Sequence, residues 1–229
     1  MRASLIGLPA LLVVFTVAAL AQNLPPPFPR QGATMLFENE RVVVWDVTWP
    51  KGVSTGMHRH PYDMTGVYIA AGDRLITAVD GTKRPVKTAA GGIIWQFAGL
   101  THIEEGTSET PLRAIMIELK PNAGALGTDS PGVFPPAFPR ETAKELLDNE
   151  RVRVWDNIWP VDHPGPVHRH VRDNVVVWMT DGKLRSTPQG GVPTVTEVKR
   201  LTVTYSKRGN VHSEEAIEGP PRAYVFELK

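Results

Sequence analysis

Asn39-Glu40-Arg41-Val42, then Val44-Trp45-Asp46 and Trp49-Pro50, return 110 residues later as Asn149-Glu150-Arg151-Val152, Val154-Trp155-Asp156 and Trp159-Pro160. The same offset carries His58-Arg59-His60 onto His168-Arg169-His170, and Glu104-Glu105 onto Glu214-Glu215. Upstream, the run from Pro25 to Arg30 returns as the run from Pro135 to Arg140. One residue is lost before the shared endings Glu118-Leu119-Lys120 and Glu227-Leu228-Lys229. A repeat this long is too large for a solenoid unit, so each copy is expected to fold as a domain with its own core. The copies span 22–120 and 134–229, and the intervening 121–133, rich in Pro, Gly and Ala, reads as a linker.

Inside each copy the strand signal dominates. Arg41 to Trp45, Gly66 to Ile69, Gly92 to Trp95 and Leu112 to Ile117 are short β-rich runs set between Gly, Pro or polar breaks. Val152 to Trp155, Val175 to Trp178, Leu201 to Tyr205 and Ala223 to Phe226 form the matching series. Helical signal is confined to Glu141–Asp148, which reads as two turns leading into the second copy. Many short strands with regular breaks predict an all-β chain of sandwiches or barrels.

The chain begins with a different kind of segment. Arg2 is followed by an almost wholly apolar run from Leu5 to Leu20, and Ala19-Leu20-Ala21 offers the small residues of a signal-peptidase site. A membrane span is the competing reading, but a Pro-rich stretch from Leu24, not a basic flank, follows. Residues 1–21 therefore read as a Sec-type signal peptide cut between Ala21 and Gln22, with a periplasmic or secreted product and no membrane contact after cleavage. The 25 Lys and Arg against 24 Asp and Glu give a nearly neutral chain, with no basic stripe for nucleic acid. There is no Cys, which excludes disulfides and thiolate ligands and leaves nitrogen and oxygen to hold any metal.

Six of the seven His fall at matched positions: His58, His60 and His102, then His168, His170 and His212, with only His163 outside the pattern. Residues two apart on a strand share a face, so His58 and His60 present their imidazoles side by side and a distant His closes the set. Three imidazoles on a divalent metal leave positions open for water or substrate. Asp63 and Asp173 follow the second His by three residues in each copy, and each reads as a fourth ligand or as an acceptor for an imidazole N–H. The intervening sequence has diverged, with Pro61-Tyr62 becoming Val171-Arg172, while the His and Asp stayed.

At these residues the chain resembles the cupin superfamily, and its duplication resembles a bicupin. The first cupin motif is matched by Gly52, five residues, His58-Arg59-His60, and Gly72 near the motif's end. The second is matched by Gly91, five residues, Phe97-Ala98-Gly99, two residues, and His102. The second copy keeps Gly209-Asn210-Val211-His212 but has Leu201 and Lys207 at the motif's Gly and Pro. The motif's Glu is missing from its usual place, and Gly106 and Ala216 replace its final Asn. The leading Asn-Glu-Arg-Val run is also similar to a group of small bacterial cupins, some labelled β-alanine degradation proteins. The resemblance implies two tandem cupin jelly-roll barrels with one divalent metal each.

Glu104 and Glu214 lie two residues after the third His, so on a strand they share its inward face. They are the candidate catalytic acid/bases, with pairing to an Arg as the alternative. The matched aromatics Trp95 and Tyr205, and Tyr68 and Trp178, read as core before substrate platform. Arg59 and Arg169, each between two His, are expected to point away from them.

The functional expectation is an exported metal-dependent enzyme, an oxidoreductase, isomerase or lyase acting on a small oxygenated substrate. Two rivals stand beside it: a non-catalytic periplasmic metal- or ligand-binding protein, and a copper-dependent enzyme cleaving polysaccharide oxidatively. One n-region Arg without a twin-Arg pair means crossing the membrane unfolded and choosing a metal outside the cytoplasm. For three neutral imidazoles the stability order favours Cu or Zn over Mn or Fe, and Fe, Mn and Ni are the other candidates. Homodimerisation is left open.

Overall fold

The computed structural model describes residues 24–121 and 133–229. Residues 1–21, read above as a signal peptide, and most of the expected linker lie outside the described residues. Those described form eighteen strands in four sheets with no helix, so the all-β expectation holds. The first barrel contains β1 (Ala33–Glu38), β2 (Val42–Trp49), β3 (His58–Arg59), β4 (Asp63–Ala70), β5 (Gly72–Ala78), β6 (Lys83–Thr88), β7 (Ile93–Gln96), β8 (Thr101–Gly106) and β9 (Leu112–Leu119). The second repeats them as β10 (Ala143–Asp148), β11 (Val152–Ile158), β12 (His168–Arg169), β13 (Asp173–Trp178), β14 (Gly182–Pro188), β15 (Thr194–Val198), β16 (Val203–Ser206), β17 (Val211–Glu218) and β18 (Arg222–Leu228).

Each barrel is two facing antiparallel sheets. In the first, β1-β2-β9-β4-β7 faces β3-β8-β5-β6; in the second, β10-β11-β18-β13-β16 faces β12-β17-β14-β15. The central strands of the five-stranded sheets are buried on both faces, which explains their near-continuous apolar runs. Val43, Trp45, Val47 and Trp49 of β2 fill the first barrel's interior with Met64, Ala114 and Met116. The alternate residues Val42 and Val44 pack with Val67, Ile115 and Ile117 against Val152, Val154, Val175, Val177 and Phe226 of the second barrel. A strand that alternates between two cores needs no polar face.

One expectation fails here. Glu141–Asp148 does not form two helical turns: Ala143–Asp148 is strand β10, paired with β11 from Ala143↔Asn157 to Asp148↔Arg153. Ala-Lys-Glu-Leu-Leu has good helix propensity, but propensity is worth only tenths of a kcal/mol per residue and a sheet edge with unpaired backbone groups outweighs it. The matching β1 pairs with β2 in the same way, and both ladders shift register at the same point, between Met35 and Phe37 and between Glu145 and Leu147.

The Pro-rich runs before each barrel add to the four-stranded sheets. Arg59 N–H donates to Pro25 O at 2.9 Å, and Arg169 N–H to Pro135 O at 2.8 Å. Proline fits such an edge because it has no N–H to leave unpaired. Where the motif Gly91 (φ +84°) has become Leu201, the left-handed backbone persists at φ +67°. The duplication kept that turn at the cost of a strained side chain, worth about 1 kcal/mol.

Candidate metal centres

Strand pairing places the histidines. His58 on β3 sits directly opposite His102 on β8, and His168 on β12 directly opposite His212 on β17. Side chains of directly opposed residues lie about 5 Å apart, close enough to share one ion. His60 and His170 follow the short strands and turn back to the same point. In each triad one ligand atom per residue lies within 4.8 Å of the others. The first site is buried, with His58, His60 and His102 only 2%, 3% and 4% exposed, and in the second His168 is buried while His170 and His212 are partly buried.

The hydrogen bonds prepare these rings to ligate through Nε2. His58 Nδ1–H donates to Gly56 O at 3.1 Å, and His168 Nδ1–H to Pro166 O at 3.0 Å. With the proton on Nδ1, the Nε2 lone pair is available. Nε2 of both His58 and His168 is buried with no hydrogen-bond partner among the described residues. His60 and His102 bring their Nε2 atoms to 3.2 Å of each other, and His170 and His212 to 2.9 Å. A divalent cation fits this donor set: it gives the orphaned nitrogen a partner and replaces the close approach of two others. Burial lowers His60 to about 3, helped by its neighbours His102 and His58, and lowers His170 to about 4. These rings are neutral at pH 7, the state a metal requires.

No protein-family model matches the chain, and no curated protein matches it. Solved structures do. A cupin domain from Bordetella pertussis Tohama I is 30% identical over 41% of this chain and 99% of its own, with a TM-score of 0.37. A cupin 2 conserved barrel domain protein from Leptotrichia buccalis covers 86% of this chain and 88% of its own at 12% identity, with a TM-score of 0.52. Oxalate decarboxylase from Bacillus subtilis, a protein with Mn(II) centres, covers 88% of this chain and 74% of its own at 10% identity, with a TM-score of 0.60. The last two likenesses span both barrels and concern the fold, and the two His triads stand where the motifs put them.

The chain has the fold of a bicupin.

Behind each triad of the bicupin lies the matched glutamate. In the first barrel Trp49 Nε1–H donates to Glu104 Oε2 at 2.9 Å, and Arg74 Nη1 forms an ion pair with Glu104 Oε1 at 2.8 Å. Arg74 is itself buried, donates to the Tyr68 hydroxyl, and lies over the rings of Trp49 and Tyr68. Burial alone would raise the Glu104 carboxyl; Arg74, His102 and the Trp49 N–H outweigh it and hold the group below its usual range. In the second barrel Trp159 Nε1–H donates to Glu214 Oε2 at 2.9 Å, and Arg140 is the cation, at 3.4 Å. Burial opposes ionisation there too, and Arg140, His212 and Trp159 again prevail. Glu214 Oε1 stands 3.8 Å from His212 Nε2. Both glutamates are thus ionised and tied to an Arg and a Trp, the arrangement of an orienting carboxylate.

Asp63 and Asp173 are not brought to the triads. Asp63 accepts from Ala98 N–H at 2.9 Å and from Arg151 of the other barrel at 2.7 Å. Asp173 accepts from Arg208 N–H at 2.8 Å, the Tyr205 hydroxyl at 2.7 Å and Arg41 of the other barrel at 3.0 Å. The pairs are reciprocal, and each Arg also donates to the end of the other barrel's last strand, Arg41 to Lys229 O and Arg151 to Lys120 O. The carboxylates hold the two barrels together. Of the aromatics, Tyr68 and Trp178 are buried, while Trp95 and Tyr205 pack partly buried against the core that joins the barrels.

A cavity of about 310 Å³ opens beside the second triad, between the Pro-rich run and the β11–β12 loop. Arg140, Trp159, His163, His168 and Glu214 are among its walls. Gly165 lies on its rim where the first barrel has Thr55, whose hydroxyl accepts from Glu104 N–H at 2.9 Å. Reading the sequence alone missed Arg74, Arg140 and the two Trp donors. The repeated Trp-Pro pair was the available signal for the Trp residues.

Proposed function

We propose that this bicupin holds one divalent transition metal in each barrel and acts as an exported metal-dependent enzyme on a small oxygenated substrate. The observation that carries the reading is the pair of buried, partnerless Nε2 atoms, on His58 and His168, each facing two more imidazole nitrogens. A bound metal would polarise a substrate oxygen there. The protein's own groups keep the imidazoles neutral and oriented, and Glu104 and Glu214 balance the cation's charge.

The cavity beside the second triad suits a small ligand, and its Arg140, Trp159 and His163 give a carboxylic acid a cation, an aromatic wall and a second donor. The likeness to oxalate decarboxylase supports the same substrate class. With Asp63 and Asp173 engaged by arginines, the donors are three neutral nitrogens, which favours copper or zinc over manganese or iron. The leading segment supports export to the periplasm or beyond.

Protein recovered from its native export route should begin at Gln22 and carry two equivalents of metal per chain. H102A and H212A should each remove one equivalent and leave the other. Turnover of small acids and sugars, lost on chelation and restored by metal, separates an enzyme from a binding protein. Unchanged stoichiometry in both variants would overturn the metal assignment, and predominantly manganese would overturn the choice of metal.

A further inference from the structure

The two triads have the same ligands but not the same neighbours. In the second barrel the Asn174 amide lies 2.7 Å from His170 Nδ1, and the Ser186 hydroxyl 2.9 Å from His212 Nδ1. With His168 held by Pro166 O, every imidazole of that triad has a polar partner on its outer nitrogen. In the first barrel the matched positions are Met64 and Ile76, which offer no hydrogen bond. His60 Nδ1 is there buried with no hydrogen-bond partner among the described residues.

The difference matters once Nε2 is given to a metal. The ring proton must then sit on Nδ1, where a buried, unpaired N–H is costly. Asn174 removes that cost through its amide oxygen, since the amide group can present either end to the ring. Its Oδ1 has no partner while Nδ2 faces the ring, so the turn that brings Oδ1 to Nδ1–H breaks no existing bond of that oxygen. The Ser186 hydroxyl accepts from His212 Nδ1–H by rotation alone. His60 has nothing equivalent.

We propose that Asn174 and Ser186 are positioning residues that fix the ligating tautomer of His170 and His212 and make the second barrel's metal site the tighter of the two. This rests on the reading that both triads bind metal.

The test measures Zn(II) affinity of the whole protein by competition with a chromophoric chelator, one site at a time. The H102A background reports the second site and H212A the first. The second site should bind at least about tenfold more tightly, the scale on which such outer hydrogen bonds act. In the H102A background, N174M places the first barrel's residue in the second and should weaken Zn(II) binding about 10- to 100-fold. N174D, whose carboxylate also accepts from Nδ1–H, should retain the affinity, and S186A should weaken it by less than N174M. Co(II) absorption should be unchanged in N174D and altered in N174M. Equal affinities of the two sites, or equal losses in N174M and N174D, would overturn the proposal by reducing Asn174 to a packing residue. Failure of both backgrounds to bind Zn(II) would overturn the underlying metal reading instead, and shows before any Asn174 variant is made.

Discussion

In the first barrel, polar support is directed to the glutamate: Arg74, Tyr68 and Trp49 surround Glu104, while His60 is left with an apolar neighbour at Met64. In the second it is directed to the imidazoles: Asn174 and Ser186 reach His170 and His212, while Leu184 stands where Arg74 would be and Glu214 takes a more distant cation from the Pro-rich run. One set of ligands has been kept in two electrostatic settings. The duplication preserved what strand pairing fixes, the opposition of His58 to His102 and of His168 to His212, and varied what the surrounding side chains supply. Ligand geometry is a property of the barrel, whereas the readiness of each ring to ligate depends on its neighbours.

The sharpest way to break this comparison is to remove each cation. R74L gives the first barrel the second barrel's residue and removes the ion pair to Glu104, leaving the Trp49 N–H and the longer-range attraction of Arg30, so unfolding free energy should fall by about 3 kcal/mol. R140A should cost only about 1–2 kcal/mol, because Arg140 is longer-range and partly exposed. Denaturant titration of both variants measures the difference; equal losses would mean that the two glutamates are held alike.

Lowering pH tests the imidazoles of the metal-free protein. His60 and His170 have folded values near 3 and 4, below the ordinary 6.5, so the unfolded chain binds more protons across that interval. Stability is therefore full above about pH 6.5 and declines as pH falls, by up to about 1.4 kcal/mol per unit for each ring. The decline from His170 should end near pH 4, while that from His60 continues towards 3. Unfolding curves of the metal-free protein and of H60N and H170N at several pH values check it, since each variant should lose its own part of the slope.

The smallest effect is expected where the copies match best. D63N and D173N each weaken one cross-barrel pair and should cost about 1 kcal/mol, with metal content unchanged in both. A fall in bound metal in either variant would return that Asp to the ligand set.

The all-β class, the repeat and the triads were legible because each leaves a one-dimensional mark: short β-branched runs, a constant offset, and a two-residue spacing on a strand. Three features left no such mark. Ala143–Asp148 has a helix former's composition, and only the edge of β11 makes it a strand. Asp63 and Asp173 are near the His in sequence, but the chain turns their carboxylates to an arginine of the other barrel, 88 and 132 residues away. Arg74 had no counterpart to draw attention to it, since Leu184 occupies its place. Divergence between matched positions beside the ligands, as at Met64 and Asn174, was the overlooked signal.

The crossed pairs Arg41–Asp173 and Arg151–Asp63 flank an apolar face to which both barrels contribute the same strands. That is the pattern of a self-complementary dimer contact, with each patch meeting its own copy across a two-fold axis. Separate barrels would be held together only to the extent that their concentration exceeds a dissociation constant. Joined in one chain, they associate at an effective concentration set by the tether, independent of how dilute the protein becomes. The contact between the barrels is thereby removed from the law of mass action.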